Sequence, residues 1–185
     1  MGSTQYYVAQ SLDGCIAERD GGLDWLLKYD GEAGADASQA TDGGYDRFFA
    51  EVGAVVMGSA TYEFILAEEQ GRWPYEGTPC WVLTSRELPV PDGADVRFAS
   101  GPVAPVHDQL RAAAGERNVW IVGGGGLASD FAEAGLLDEL LLTIVPVVLG
   151  DGLPTFGRRL GQKLRLTGTR PFSNGMTELR YSVVR

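Results

Sequence analysis

The 185-residue sequence predicts an α/β domain in which one mixed sheet is flanked by helices. Three observations carry this. Buried-strand patterns alternate with helical patterns along most of the chain, which is the signature of crossover units and a largely parallel sheet. Twice a strand runs directly into glycine and then into a helix, at Met57-Gly58-Ser59 and at Val119 to Leu127, where four glycines stand in succession. The tail from Lys163 to Arg185 instead alternates like a hairpin turned at Ser173-Asn174-Gly175. The length accords with a single domain over residues 1–185.

Taken in order, Tyr6 to Gln10 reads as a strand, Ser11-Leu12-Asp13-Gly14 as a turn, and Cys15-Ile16-Ala17 as a short apolar strand. Residues 18–44 are rich in Gly, Asp and Ala, with only Leu23 to Leu27 able to anchor them to a core. An insertion of that length within one domain is expected to be a functional lid or a disordered insert. Tyr45 to Val52 is predicted as a short helix, with Phe48, Phe49 and Val52 on one face and Asp42 available as its cap.

Ala54 to Met57 is a buried strand, and a helix follows through Thr61, Tyr62, Phe64 and Ile65. Cys80 to Leu83 is a strand ending in Thr84-Ser85-Arg86, and Val96 to Phe98 a shorter one beyond a Pro/Asp/Gly loop. Val103, Val106, Leu110 and Ala113 are spaced as a helix ending at Gly115. Val119 to Val122 is the strand before the glycines and Leu127 to Ala134 the helix after them. Asp138-Glu139 open a last apolar run, Leu140 to Leu149, in which Pro146 suits a bulge or a sheet edge better than a central parallel strand.

Composition excludes several classes of function. With 15 basic and 25 acidic residues the net charge is −10, which disfavours nucleic acid and anionic membranes as partners. Cys15 and Cys80 form no CxxC pair, and the single His107 completes neither a His/Cys metal cage nor a serine-type triad, so no dedicated metal site is expected. The opening residues lack a basic patch followed by an apolar core, and no run approaches the ~18 apolar residues of a membrane span. A soluble, cytoplasmic protein is expected.

The glycine run carries the most chemistry. Side-chain-free positions at a strand-to-helix turn let backbone N–H groups approach a phosphate, and the helix N-terminus behind them favours its charge. Gly123, Gly125 and Ala128 match the spacing of a dinucleotide fingerprint, but the unit stands late in the chain and only Asp151 lies near the distance of its acidic partner. A tight turn would explain one or two glycines; four in succession favour phosphate contact. Thr84-Ser85-Arg86 offers two hydroxyls and a guanidinium to a phosphate monoester such as the 2′-phosphate of NADPH, and Ser59 reads either as a contact or as a helix N-cap.

These residues together carry a resemblance over nearly the whole chain. Ser11-Leu12-Asp13-Gly14-Cys15-Ile16-Ala17, Val55 to Glu63 around Met57-Gly58-Ser59, Val119 to Leu127, and Gly135-Leu136-Leu137-Asp138-Glu139-Leu140 through Gly152 are similar to the dihydrofolate-reductase-like family that includes the C-terminal reductase domain of bacterial riboflavin biosynthesis. The resemblance implies a three-layer fold around a mostly parallel eight-stranded sheet, NADPH bound across the strand ends, and hydride transfer to a small heterocycle. By position, Gly123, Gly124, Gly125, Gly126 and Leu127 would hold the pyrophosphate, with Val122 beside them in the cofactor site and Gly58, Ser59 and Thr61 meeting the phosphates from the opposing helix. Thr84, Ser85 and Arg86 would read the adenosine ribose phosphate, and Ala9 and Ile16 would line the nicotinamide.

For the substrate, the resemblance points to Asp13, shaping a covering loop, and to Trp25, which serves equally well as the core anchor of its own segment. Dihydrofolate reductases place a carboxylate near the pterin to assist protonation. Counting forward from Trp25 puts it at Asp30; counting back from Met57 puts it at Asp42. Ser59 stands where those enzymes carry Arg. Val122 replaces a Glu of the riboflavin reductases, whose Ala-Arg and Asp-Asp-Pro elements are also missing. The expectation is an NADPH-dependent reductase of a pteridine, folate or pyrimidine-like compound, possessing a homodimeric assembly as relatives often do. The competing expectations are a nucleotide-binding regulatory module on the same fold and a plain interaction protein.

Overall fold

The computed structural model of the chain describes residues 2–29 and 44–185. Strand β1 (Thr4–Ser11) turns into the short β2 (Cys15–Ala17) and the single-turn helix α1 (Asp24–Leu27). Then come α2 (Gly44–Ala50), β3 (Val52–Gly58), α3 (Ser59–Glu68), β4 (Cys80–Leu83), β5 (Val96–Ala99), α4 (Val103–Ala114), β6 (Asn118–Gly123) and α5 (Gly125–Glu133). The chain closes with β7 (Glu139–Val145), β8 (Leu153–Pro154), β9 (Lys163–Pro171) and β10 (Thr177–Val184). The main sheet has eight strands in the order β5-β4-β3-β6-β1-β7-β10-β9, and β2 pairs with β8 beside it.

The strands from β5 to β7 all run parallel, whereas β10 is antiparallel to both β7 and β9. Parallel strands are covered on both faces, so they need apolar residues at nearly every position. Strand β3 shows this, with Val52 to Met57 all buried. Successive residues point to opposite faces. Tyr6 accordingly joins the layer under α4 and α5 with Val56, Ile121, Leu110 and Phe131, while its neighbour Tyr7 joins the layer under α2 and α3 with Phe48, Met57, Tyr62 and Trp120. Each fully buried large side chain here is worth about 1.5–3 kcal/mol in apolar transfer. The two clusters together make the three-layer architecture.

Several boundaries differ from the sequence reading for physical reasons. Helix α2 ends at Ala50 and Val52 is the first residue of β3, paired with Asn118 and almost wholly buried, because a sheet position beside β6 removes more of it from water than the rim of a short helix. Helix α5 begins at Gly125 rather than Leu127, so two of the glycines form its first turn. Gly58, not Ser59, occupies the N-cap position of α3. The expected cap of α2, Asp42, lies outside the described residues.

The apolar run before Leu149 is not an edge. Strand β7 lies between β1 and β10, and Pro146 stands just past its last residue, where the missing N–H interrupts no ladder. The chain there continues through Val147, whose N–H donates to Val145 and whose carbonyl accepts from Leu12. The C-terminal hairpin turns at the predicted residues: Gly175 adopts φ +89°, and the N–H of Phe172 donates to the carbonyl of Met176.

Candidate active site

The carboxyl ends of β1, β3 and β6 open into a cleft of about 1540 Å³. Its walls come from Tyr7 and Ala9 of β1, Ile16 of β2, Leu23 and Leu26 at α1, Thr61 and Phe64 of α3, and Val122 to Gly126 after β6. Thr143 of β7 and Met176 before β10 line it as well. Beside it is a smaller hollow of about 460 Å³ formed by Gly58, Leu83, Thr84, Ser85, Ser100, Gly101, Leu127 and Asp130. Gly126 lines both spaces.

Two helix N-termini stand side by side where these spaces meet, because β3 and β6 are hydrogen-bonded neighbours with Met57 opposite Gly123. In α5 the N–H of Ala128 is the first to donate within the helix, to the carbonyl of Gly124. The amides before it have no intrahelical acceptor. Helix α3 likewise starts behind Gly58 with no side-chain cap. Unsatisfied amides at adjoining positive helix ends suit an anion.

The four glycines are there for four different reasons. A Cβ on Gly123 would meet Thr61 Oγ1 at 3.1 Å, and Gly124 adopts φ +93°, a conformation side chains rarely allow. A Cβ on Gly125 would meet the carbonyl oxygens of Pro154 and Thr155 at 2.5 and 2.9 Å, so this glycine lets the segment after β8 pass directly over the helix start. Gly126 has nothing within 4 Å of that position and no positive φ. The same holds for Gly58, whose φ is −82°. Neither packing nor conformation requires these two to be glycine. What they leave open is the space between the two helix ends, a cradle of the right kind for a pyrophosphate.

The remaining predicted residues divide clearly. Ala9, Ile16, Thr61, Val122, Gly123, Gly124, Gly125 and Gly126 line the cleft; Gly58, Thr84, Ser85, Gly126 and Leu127 line the smaller hollow. Ser59 lines neither, standing at the first position of α3. Arg86 also lines neither: its Nη1 and Nη2 donate to the two Glu63 carboxylate oxygens at 3.0 and 2.6 Å, and its own N–H donates to Thr84 Oγ1. Glu63 holds the guanidinium pKa above its usual value.

Asp13 serves the loop structure. Its carboxylate accepts from Ser11 Oγ at 2.6 Å and from the N–H groups of Leu149 and Gly150 at 3.1 and 2.7 Å. Those bonds, the Ser11 hydroxyl foremost, hold its pKa down at about 2. The result is a staple between the β1–β2 turn and the loop beyond β7. Trp25 packs with Val145, Phe172 and Met176, and its buried Nε1 has no hydrogen-bond partner among the described residues. Asp30 and Asp42 lie outside the described residues. His107 is distant in role: its Nε2 shares a 2.8 Å hydrogen bond with Thr4 Oγ1, and burial lowers its pKa.

Tyr7 and Thr143 were not anticipated; the sequence trace is that Thr143 is the one hydroxyl in the run Leu140 to Val145. The Tyr7 ring lies 4.3 Å from that of Phe48, tilted by 46°, and the Tyr7 backbone carbonyl accepts from Trp120 Nε1. Burial raises the phenol pKa, the charge of Glu178 raises it further, and a hydrogen bond with the Thr143 side chain lowers it in part.

The family model described as the RibD C-terminal domain matches residues 4–177. The chain belongs to the RibD C-terminal domain family. A Bacillus subtilis (strain 168) member of similar length, YwjB, is 36% identical over 179 residues and covers 96% of both chains. Among solved structures, a RibD-like protein from Shewanella sp. PV-4, described as a putative riboflavin biosynthesis protein, superposes with a TM-score of 0.80 at 28% identity, covering 99% of each chain. Dihydrofolate reductase from Enterococcus faecalis, solved in complex with NADP(H) and RAB-propyl, gives 0.63 at 20% identity, covering 100% of this chain and 98% of its own. The RibD C-terminal domain fold is therefore the dihydrofolate-reductase-like one that the sequence predicted.

Proposed function

We propose that this protein is an NADPH-dependent reductase of a small heterocycle of the pteridine, folate or pyrimidine-like class, akin to the 5-amino-6-(5-phosphoribosylamino)uracil reductase and dihydrofolate reductase group. The observation that carries this is the pair Gly58 and Gly126, two glycines that the fold itself does not need, facing the open space between two helix N-termini. Family membership and the NADP(H)-bound neighbour support the same reading.

Bound there, NADPH supplies the hydride. The amides at the starts of α3 and α5 hold its pyrophosphate, and Thr84 and Ser85 receive the adenosine ribose end in the smaller hollow. Ala9, Ile16 and Val122 flank the nicotinamide, leaving the apolar part of the cleft near Leu23, Leu26 and Met176 for the ring that is reduced. Closing walls of this kind orient the two reactants and exclude water from the transfer. The substrate nitrogen takes up one proton for each hydride, and one carboxylate, either Asp30 or Asp42, is the candidate to assist it.

The test is direct. Millimolar NADPH is expected to raise the melting temperature by the amount its affinity dictates, and Gly126→Ala to abolish that rise while leaving the free protein folded. No stabilisation of the wild-type protein by NADPH would sink the reading. Binding without NADPH oxidation across a pteridine, folate and pyrimidine panel would instead identify a nucleotide-binding module. A single-domain, homodimeric, cytoplasmic protein completes the proposal, with light scattering as the check on assembly.

A further inference from the structure

The segment after β8 crosses the start of α5 backbone to backbone. A Cβ on Gly125 would meet the Pro154 and Thr155 carbonyl oxygens at 2.5 and 2.9 Å, and a Cβ on Gly157 would meet Gly126 N and Cα at 3.1 and 3.0 Å. Gly157 does not adopt a positive φ, so this close approach is what requires a glycine there. Two backbones that touch with no side chain between them have nothing to absorb a displacement. The position of residues 153–157 therefore fixes the position of the Gly125 and Gly126 amides.

One residue holds that segment in place. Thr155 is 6% exposed, and all of its polar groups are engaged. Its N–H donates to the Gly14 carbonyl at 3.0 Å, and its Oγ1 lies 3.0 Å from that same carbonyl and 2.5 Å from the Gln10 side-chain oxygen, sharing one proton between them. Its own carbonyl accepts from the Tyr6 phenol at 3.1 Å. Burial keeps the Tyr6 pKa above its ordinary value, so the phenol is a constant donor. Further on, Arg158 pairs with Asp130 and Glu133 of α5, but these groups are exposed and such pairs contribute little. The buried bonds of Thr155 carry the attachment.

The same bonds bear on charge. A carbonyl oxygen at a helix N-terminus competes with an anion for the positive end. The Tyr6 hydroxyl answers the Thr155 carbonyl from the core side and lessens that competition. We propose that Thr155 is the positioning residue of the anion cradle: it sets the height of residues 153–157 over α5, and with it the spacing of the amides that hold the dinucleotide pyrophosphate. Tyr6 supports it from the core, and neither residue lines the cleft. Gly14 belongs to the turn that Asp13 staples, so the cradle is set from β1 and that turn as well as from α5. This rests on the reductase reading for the identity of the anion.

The experiment uses the full chain with NADPH as the probe. Thr155→Val keeps the shape but replaces the hydroxyl by a methyl, which approaches an oxygen no closer than about 3.3 Å and so pushes the segment away from Gln10 and Gly14 by up to about 1 Å. A misplacement of that size is expected to weaken NADPH binding about tenfold in a calorimetric titration. Thr155→Ser keeps the hydroxyl and should bind within about twofold of wild type. In the NADPH-free protein the amide NMR signals of Gly125 and Gly126 should move in Thr155→Val and stay in place in Thr155→Ser. Thr155→Val should also lower the melting temperature. A residue that only supports the fold would do the same, but without changing the NADPH affinity of the folded protein well below its transition.

Unchanged NADPH affinity in Thr155→Val overturns the proposal, as does an equal loss in Thr155→Ser. Should Thr155→Val not fold, Tyr6→Phe decides: it removes one hydroxyl, adds no atom, and is expected to weaken NADPH binding about threefold, with unchanged affinity overturning the proposal. Failure of the wild-type protein to bind NADPH strikes the reductase reading, and the dinucleotide part of the proposal with it. Unmoved Gly125 and Gly126 amides in Thr155→Val strike the coupling itself.

Discussion

The glycine wall and the floor that Tyr7 and Thr143 form line one cleft and are built by opposite means. At the wall only the backbone is on offer: the glycines carry no side chains, and the groups presented are amides at the starts of α3 and α5. At the floor, the side chains of Tyr7 and Thr143, from strands far apart in the chain, are brought together by sheet register. A backbone site tolerates almost no added atom. A side-chain site tolerates changes of shape but not of hydrogen bonding. The two should therefore fail differently when altered.

The largest effect is expected at Gly125. Its Cβ would lie 2.5 Å from the Pro154 carbonyl oxygen, a backbone atom that cannot swing aside, so Gly125→Ala should cost about 2–4 kcal/mol and lower the denaturation midpoint sharply. A midpoint equal to wild type would show that the segment after β8 is free to shift. Gly124→Ala comes next, at about 1–3 kcal/mol, from the forced φ of +93°. Both are losses of fold that cost ligand binding only indirectly.

Gly126→Ala separates the two roles of the wall. Nothing lies within 4 Å of its Cβ and the residue is helical, so alanine should stabilise the free protein by up to about 1 kcal/mol while removing NADPH-induced stabilisation. Thermal unfolding with and without NADPH reads both quantities from one sample. If binding survives, the cradle lies elsewhere.

Smaller still is the response at Asp13. Its folded pKa of about 2 lies below its ordinary 3.8, so its staple contributes stability above that ordinary value and loses it as pH falls towards 2. Asp13→Asn should lower the melting temperature at neutral pH, and the gap from wild type should close on acidification. A gap independent of pH would mean that the carboxylate charge is irrelevant to the staple. The least effect on stability is expected for Arg86→Ala, since both it and its partner Glu63 are solvent-exposed. Its readout is the ratio of NADPH to NADH affinity, which falls if Arg86 leaves Glu63 to meet a 2′-phosphate.

Much of the wall was legible because its signals are local. Strand, glycine and helix follow one another within a few residues at Met57-Gly58-Ser59 and at Val119 to Leu127, so a single pass along the chain finds them. The floor was not legible, since nothing within a few residues of Thr143 announces Glu178 or Tyr7 as a neighbour. Arg86 shows the same limit from the other side. Its type suits a phosphate, but only the folded chain shows Glu63, 23 residues earlier, holding it.

The sequence by itself determined the α/β class, the order of the elements, the C-terminal hairpin and the two glycine turns, because hydrophobic period and backbone freedom are properties of short segments. Tertiary structure decided the rest: that β7 lies inside the sheet, that Asp13 is a staple, which glycines face open space, and which side chains share the cleft floor. Those depend on strand order and register. Register is a pairing between distant segments, and no local pattern encodes the atom that a residue will meet across it.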